Sequence, residues 1–295
     1  MIMNFSELIE LKNKTGQPFH EIVLISQMME NGSDPNIVRE KITFLLKTMF
    51  EVCEKNYAKR HRTLTGLCGG NAELLSQYEP HMIGKFAHVA MITALSVSEA
   101  NASMCKIVAC PTAGSCGVVP GVLFALKMVE DFPDNVLIDS LIVAGAVGDE
   151  IARVVSTSGA VAGCQAEIGT AAAMASAVAV YSFSNDAEKV SHAAALVLKS
   201  MMGLVCDPVG GFVEVPCIKR NAVAVNIAIA CAEMALCGIK SIIPFDEVVE
   251  AMAKVGRSIP EELRETGLGG IASTETAKSI LEKIRSDLNE ETYEH

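Results

Sequence analysis

Apolar and polar positions divide the chain into three stretches. Over residues 1–60, charged side chains are spread among Leu, Ile, Met and Phe at three- and four-residue spacings, the pattern of helices that show one face to water. Phe19, Ile22, Val23, Ile25 and Met28-Met29 trace one such face, and Ile37, Ile42, Leu45 and Met49 trace another. Between them Asn31-Gly32-Ser33-Asp34-Pro35 predicts a turn, with Asp34 as N-cap and Pro35 at the first helical position. From about 100 to 240 the charges thin out and Ala, Gly, Val and Cys take over; between Ala160 and Phe183 the only charged residue is Glu167. A helix apolar all round belongs at the centre of a bundle, and small residues let helix backbones approach closely. Few stretches alternate with period two, and runs such as Val223–Ala230 continue at helical length. After Pro244 the amphipathic pattern returns, predicting helices near Phe245–Val255, Pro260–Arg264 and Thr274–Asn289, followed by an acidic polar tail expected to be disordered. The expected fold is all-α: one compact catalytic domain over 1–295 with Ala/Gly-rich buried central helices. Within it, amphipathic helices cover 1–60, the core with its loops 61–243, C-terminal helices 244–288 and the tail 289–295.

Composition narrows the function classes. A chain of 295 residues can bury a core without staples, and only 5% of it is aromatic, so that core is built from small side chains. The net charge of −11 disfavours nucleic acid and anionic membranes, which are bound through surplus positive charge. The longest apolar segments, Ile168–Phe183 and Ala222–Ile239, read as buried helices rather than membrane spans. The first is short for a bilayer, and the second carries Asn226 and Glu233. The start shows no basic region followed by an apolar run, so a cytoplasmic, reducing location is expected, where structural disulfides are rare. The ten cysteines therefore need another reason, and the lack of any CxxC pair argues against zinc ribbons and thioredoxin-type motifs.

Four glycine-rich polar breaks interrupt the apolar region: Thr65–Asn71, Cys110–Gly117, Gly163–Glu167, and Cys206–Gly211 running on to Pro216–Asn221. Such loops either present backbone N–H groups to an anion or serve as helix caps and tight turns. None has the spacing of a dinucleotide fingerprint or a P-loop. Cys164, Cys206 and Cys217 each fall at a predicted helix boundary, so three thiols can converge or remain three buried bystanders. Cys231 and Cys237 read as mid-helix packing residues, and Cys110 and Cys116 as packing within their loop.

The segments CPTAGSCGVVPG, GCQAEIGTAAAMASA, GLVCDPVGGFVEVPCIKRNA and LRETGLGGIA, in this order from about Leu64 to Ala272, resemble the α subunit of iron–sulfur-dependent L-serine dehydratase. The resemblance implies a helical catalytic region and a [4Fe–4S] cluster held by three cysteines, which fall on Cys164, Cys206 and Cys217. Three thiolates leave one iron open, and an open metal position polarises a substrate oxygen as a Lewis acid. The implied reaction converts L-serine to pyruvate and ammonia. It also implies a separate β subunit and thus a hetero-oligomer; the general base, which the partner could carry, is not assigned.

Softer roles follow. Thr112, Ser115 and the backbone of Gly114 are candidates for the substrate carboxylate, or else a plain N-cap. Asn71 could line the same pocket. Lys219 and Arg220 offset cluster or carboxylate charge, or form a solvated basic pair; Glu167 is a hydrogen-bonded buried group or a catalytic one. Single-chain members end in a cysteine that reaches the open iron, whereas here the last cysteine is Cys237 and the chain ends in His295, a poor replacement on a disordered tail. Competing readings are a cluster-dependent L-cysteine desulfidase, a pyridoxal-phosphate dehydratase, which the helical core argues against, and a non-enzymatic cluster sensor.

Overall fold

The computed structural model describes residues 3–293. Three helices form the N-terminal region: α1 (Phe5–Thr15), α2 (Phe19–Asn31) and α3 (Pro35–Asn56). There follow α4 (Asn71–Ser76), α5 (Lys85–Ala102), α6 (Val118–Val129), α7 (Asp134–Val154), α8 (Gly159–Ala162), α9 (Cys164–Ser184), α10 (Ala187–Met201) and α11 (Cys217–Leu236). The chain closes with α12 (Phe245–Ser258) and α13 (Glu275–Tyr293). Among the described residues there is no strand; an isolated parallel bridge pairs Cys206 with Arg264. The fold is all-α and forms a single compact helical domain, as the hydropathy pattern predicts.

The centre is α9, surrounded by α6, α7, α10 and α11. It is long and apolar enough to cross a membrane, but 89% of that apolar window is buried inside the protein. Ala171, Ala172, Ala173, Ala175 and Ala177 are all enclosed. Alanine suits this place because it loses no side-chain entropy in a helix and lets four neighbours close in at once. Enlarging such a methyl in a close-packed interior costs about 1–3 kcal/mol.

The N-terminal helices are pinned by aromatic contacts. Phe5 meets Phe19 and Phe245 edge-on, with ring centroids 5.4 and 5.3 Å apart, so α1 is clamped between α2 and α12. Asp34 caps α3 as expected, its side chain accepting from the Asn36 backbone N–H at 2.8 Å with Pro35 in the first turn.

Three local expectations change. The stripe of α3 that meets the core is Leu46, Met49, Val52 and Cys53, whereas Ile37 and Leu45 are exposed, as are Met28 and Met29 at the end of α2. Two overlapping apolar stripes fit the period of 3.6, and only the neighbouring helices choose between them. Helix α13 runs to Tyr293, past the start of the expected tail at Asn289, and Glu290 and Glu291 are good helix formers. Glu294 and His295 lie outside the described residues. Finally, Cys237 is not a packing residue within a helix: it is the exposed C-cap of α11, while Cys231 is buried.

Candidate active site at the starts of two core helices

Two of the three cysteines stand at helix starts as expected, whereas Cys206 lies in the extended segment between α10 and α11, five residues past the end of α10, because its backbone pairs with the segment after α12. Gly163, at φ 77°, adopts a backbone conformation that L side chains rarely take, and Cys164 opens α9 directly after it. Beyond α10 the chain doubles back, held by Gln165, whose backbone N–H donates to Leu204 O at 2.9 Å and whose side-chain oxygen accepts from Gly203 N at 2.8 Å. Cys206 then pairs with the segment after α12: its N–H donates to Leu263 O at 2.9 Å, and its carbonyl accepts from Glu265 N at 2.6 Å. Cys217 opens α11 after Pro216. All three thiols are buried.

The three cysteines share one charged surrounding. The Cys206 thiol is placed to donate to Cys164, which chiefly for that reason, and then because the Arg220 guanidinium lies beside it, is held below the usual thiol range. The Cys206 thiol is pushed up, first by this bond and then by burial. Burial, followed by the negative charge of Cys164 and Glu167, pushes Cys217 up to about 12. Half-buried Arg220 donates to Val205 O and Asp207 Oδ1, each at 2.9 Å, and Asp207 Oδ2 accepts from Ile271 N at 2.9 Å. The guanidinium is thus fixed rather than part of a solvated basic pair.

Glu167 follows Cys164 by one helical turn, and its Oε1 accepts from the Thr112 hydroxyl. Burial raises its pKa above the usual carboxyl value, more than the Thr112 bond lowers it. Two glycines make room here. A Cβ on Gly159 would lie 2.7 Å from Cys206 Sγ and 3.3 Å from Glu167 Oε2, and one on Gly114 would collide with the Glu167 carboxyl. Among the described residues, no three His, Cys, Asp or Glu side chains come close enough to share a single metal ion.

The expected substrate residues separate into two groups. Thr112, Gly114 and Ser115 stand with Glu167 and the cysteines. Thr112 and Ser115 hydroxyls are 3.0 Å apart, and neither caps α6, whose N-cap is Gly117 without a side-chain bond. The residue that ties this loop to α11 is Asn221. Fully buried, it donates to Gly114 O at 2.7 Å and to Cys217 O at 3.0 Å, and it accepts from Gly117 N at 3.0 Å. The sequence places Asn221 in the fourth polar break without a role, although a polar side chain one turn after Cys217, followed by Ala and Val, is the available signal. Cys110 and Cys116 are buried packing residues, each pushed up to about 12 by burial.

Asn71 and Lys219 form the second group. The Asn71 amide and backbone N–H both donate to Glu99 Oε1, at 2.8 and 2.6 Å, so this side chain serves the start of α4. Exposed Lys219 reaches Cys68 Sγ at 3.7 Å. Lys219 and Val223 stand between two cavities of about 490 and 510 Å³; Asn71 lines the first, and Pro216 and Arg220 line the second.

Comparison with known proteins shows the family. The family model described as serine dehydratase alpha chain matches residues 14–272. The chain is 40% identical over 287 residues to the probable L-serine dehydratase, alpha chain, of Bacillus subtilis, covering 96% of this chain and 95% of that one. It is 37% identical over 294 residues to the L-serine dehydratase, alpha chain, of Peptoniphilus asaccharolyticus, covering 99% of each. With an L-serine dehydratase of Helicobacter pylori it shares 32% identity over 280 residues, 91% of this chain but 60% of that longer protein. The chain belongs to the serine dehydratase alpha chain family.

Proposed function

We propose that this chain is the α subunit of a cytoplasmic lyase that converts L-serine to pyruvate and ammonia with a [4Fe–4S] cluster and a β subunit. The observation that carries the reading is that three buried cysteines all lie within reach of Glu167, two of them at the starts of α9 and α11 and beside the Arg220 guanidinium. The donor set fits such a cluster. Its ligands would be thiolates, and Cys164, Cys206 and Cys217 are three buried thiols that could supply them. The bare glycine faces at Gly114 and Gly159 keep side chains out of the space beside Cys206 and Glu167. Cys164, Cys206 and Cys217 would hold the cluster, which when bound supplies an open iron as Lewis acid toward the substrate hydroxyl.

The remaining work belongs to the chain's own groups. Arg220, anchored by Asp207 and Val205, balances the negative charge gathered by the thiolates without moving. Thr112 holds the Glu167 carboxyl toward the cysteines. Asn221 fixes the Gly114 peptide relative to Cys217, so Thr112, Gly114 and Ser115 stand in constant register with the metal ligands. Serine loses its Cα proton and β-hydroxyl as water; the aminoacrylate left behind takes up water and separates into pyruvate and ammonia. The base for the Cα proton is assigned to none of these residues.

The test is anaerobic reconstitution with iron and sulfide, with and without β subunit, followed by a pyruvate assay on L-serine. Iron-dependent pyruvate is expected. Turnover without iron, or release of sulfide from L-cysteine with none of pyruvate from serine, overturns the reading.

A further inference from the structure

Helix α11 is packed on by α5, α6, α9 and α10, and one stripe of it is left uncovered. Along that stripe Lys219, Val223 and half-buried Ile227 follow at four-residue steps, and Val223 is 58% exposed. A stripe that faces water is ordinarily polar, but this one is apolar beyond its lysine. The two cavities on either side of Lys219 and Val223 are grooves of the same character. Leu74, Tyr78 and Met91 wall one of them, and Met202, Leu204 and Arg220 wall the other. Leu74 and Tyr78 are themselves 62% and 53% exposed. Apolar side chains gathered on a surface mark a place of contact, and Tyr, Met and Arg are enriched at such places.

Charge says which partner fits. Among the described residues that line the grooves, the charged ones are Lys219 and Arg220, and both are cations. Arg220 is held by Asp207, whereas Lys219 Nζ has Cys68 Sγ, at 3.7 Å, as its partner among the described residues. The whole chain carries a net charge of −11, so this face is a cationic island on an acidic molecule. A second copy seated here about a two-fold axis uses the same patch twice and sets Lys219 against Lys219. A different chain, with apolar side chains and a carboxylate opposite Lys219, meets no such repulsion. The Helicobacter pylori relative is longer than this helical unit, which matches 60% of it, so a further part accompanies the unit there.

We propose that the uncovered stripe of α11, with the grooves on both sides of Lys219, is the docking surface of the β subunit, which meets it with apolar side chains and a carboxylate opposite Lys219. This rests on the two-subunit reading above and adds to it the place of contact. Pro216 and Arg220 line the second groove, so the docked chain stands beside Cys217.

The test measures the Kd between the reconstituted full-length α chain and the β subunit by calorimetry. Val223→Asp and Leu74→Asp put a charge into the grooves at exposed positions, and circular dichroism checks that each variant is folded. Both are expected to raise Kd at least about thirty-fold, the effect of losing a central interface residue. Phe44→Asp, at a 66% exposed position on α3, is expected to bind as wild type does. Salt between about 50 and 500 mM should weaken wild-type binding, and Lys219→Met should lose most of that dependence, having no charge to screen. Wild-type affinity in Val223→Asp and Leu74→Asp, or an equal loss in Phe44→Asp, overturns the proposal. An unchanged salt dependence in Lys219→Met overturns the carboxylate opposite Lys219. A dimer of the α chain alone that Val223→Asp dissociates gives the face to a second copy and overturns the proposal as well. A wild-type α chain that binds no β subunit overturns the two-subunit reading together with this proposal, whereas tight wild-type binding with indifferent variants overturns this proposal alone.

Discussion

Glu99 and Glu167 are both acidic side chains set into an apolar helical core, but their surroundings differ. Glu99, near the end of α5, is fully enclosed, and its two oxygens receive the backbone N–H groups of Gly70, Asn71 and Ala72 together with the Asn71 amide. It closes the N-terminus of α4, where orphan donors and the helix dipole both favour a negative charge. Glu167, in the first turn of α9, receives the Thr112 hydroxyl, and burial lifts its pKa. The number of donors aimed at a carboxyl separates the two. One saturated with backbone N–H groups holds a loop in place, while the other, with a single hydroxyl donor among thiols, is held more loosely and its pKa is raised.

The largest effect that tests this contrast is on the thiol side. Replacing Cys164, Cys206 or Cys217 by Ala should abolish cluster absorbance and reduce serine turnover to background. A full cluster in any one of the three variants removes that cysteine from the ligand set. Next comes Glu99→Ala, which strands several buried N–H groups at about 1–3 kcal/mol each. Urea unfolding should show a loss of several kcal/mol, and a variant as stable as wild type would mean that Glu99 does not hold the loop.

Glu167→Gln should behave in the opposite way. An amide removes the cost of burying charge and can still accept from Thr112, so stability should stay within about 1 kcal/mol of wild type while serine turnover falls. Destabilisation equal to that of Glu99→Ala, with activity kept, would erase the distinction between the two carboxyls.

The smallest effect lies outside both regions and serves as a control. His20 packs on Tyr181, ring nitrogen to hydroxyl at 3.1 Å, and burial holds its pKa below 6.5 despite Asp139 and Glu21 nearby. The fold therefore prefers the neutral imidazole. Its contribution is complete above 6.5 and is lost as pH falls through the lower folded value. Unfolding of wild type and His20→Asn at about pH 8 and pH 5 should show wild type losing more on acidification, with the cluster site unaffected.

Features set by a few neighbouring residues could be read from the sequence. Asp34 and Pro35 start α3, and Cys164 and Cys217 stand at the first positions of α9 and α11, because caps and helix starts depend on local backbone rules. The central helices were recognisable because a run of Ala and Gly with one charge has no place other than the interior of a bundle. The all-α class follows from the same periodicity.

What lay beyond the sequence depends on which distant segment arrives beside a residue. Leu46 rather than Leu45 faces inward on α3 because the helices packed against it choose between two stripes of equal period. Asn71 lines a cavity beside Lys219, but its amide is engaged by Glu99, 28 positions away. Asn221 gained its bridging place only when the Gly114 loop, 107 positions earlier, came to rest on α11. The sequence by itself determined the helices, their ends and the burial of the centre, since these follow from propensity, capping and hydrophobic period. The tertiary structure alone decided which carboxyl is saturated, which is left wanting and which thiols share a guanidinium, because hydrogen bonds and charges act over a few ångströms between segments that the chain keeps far apart.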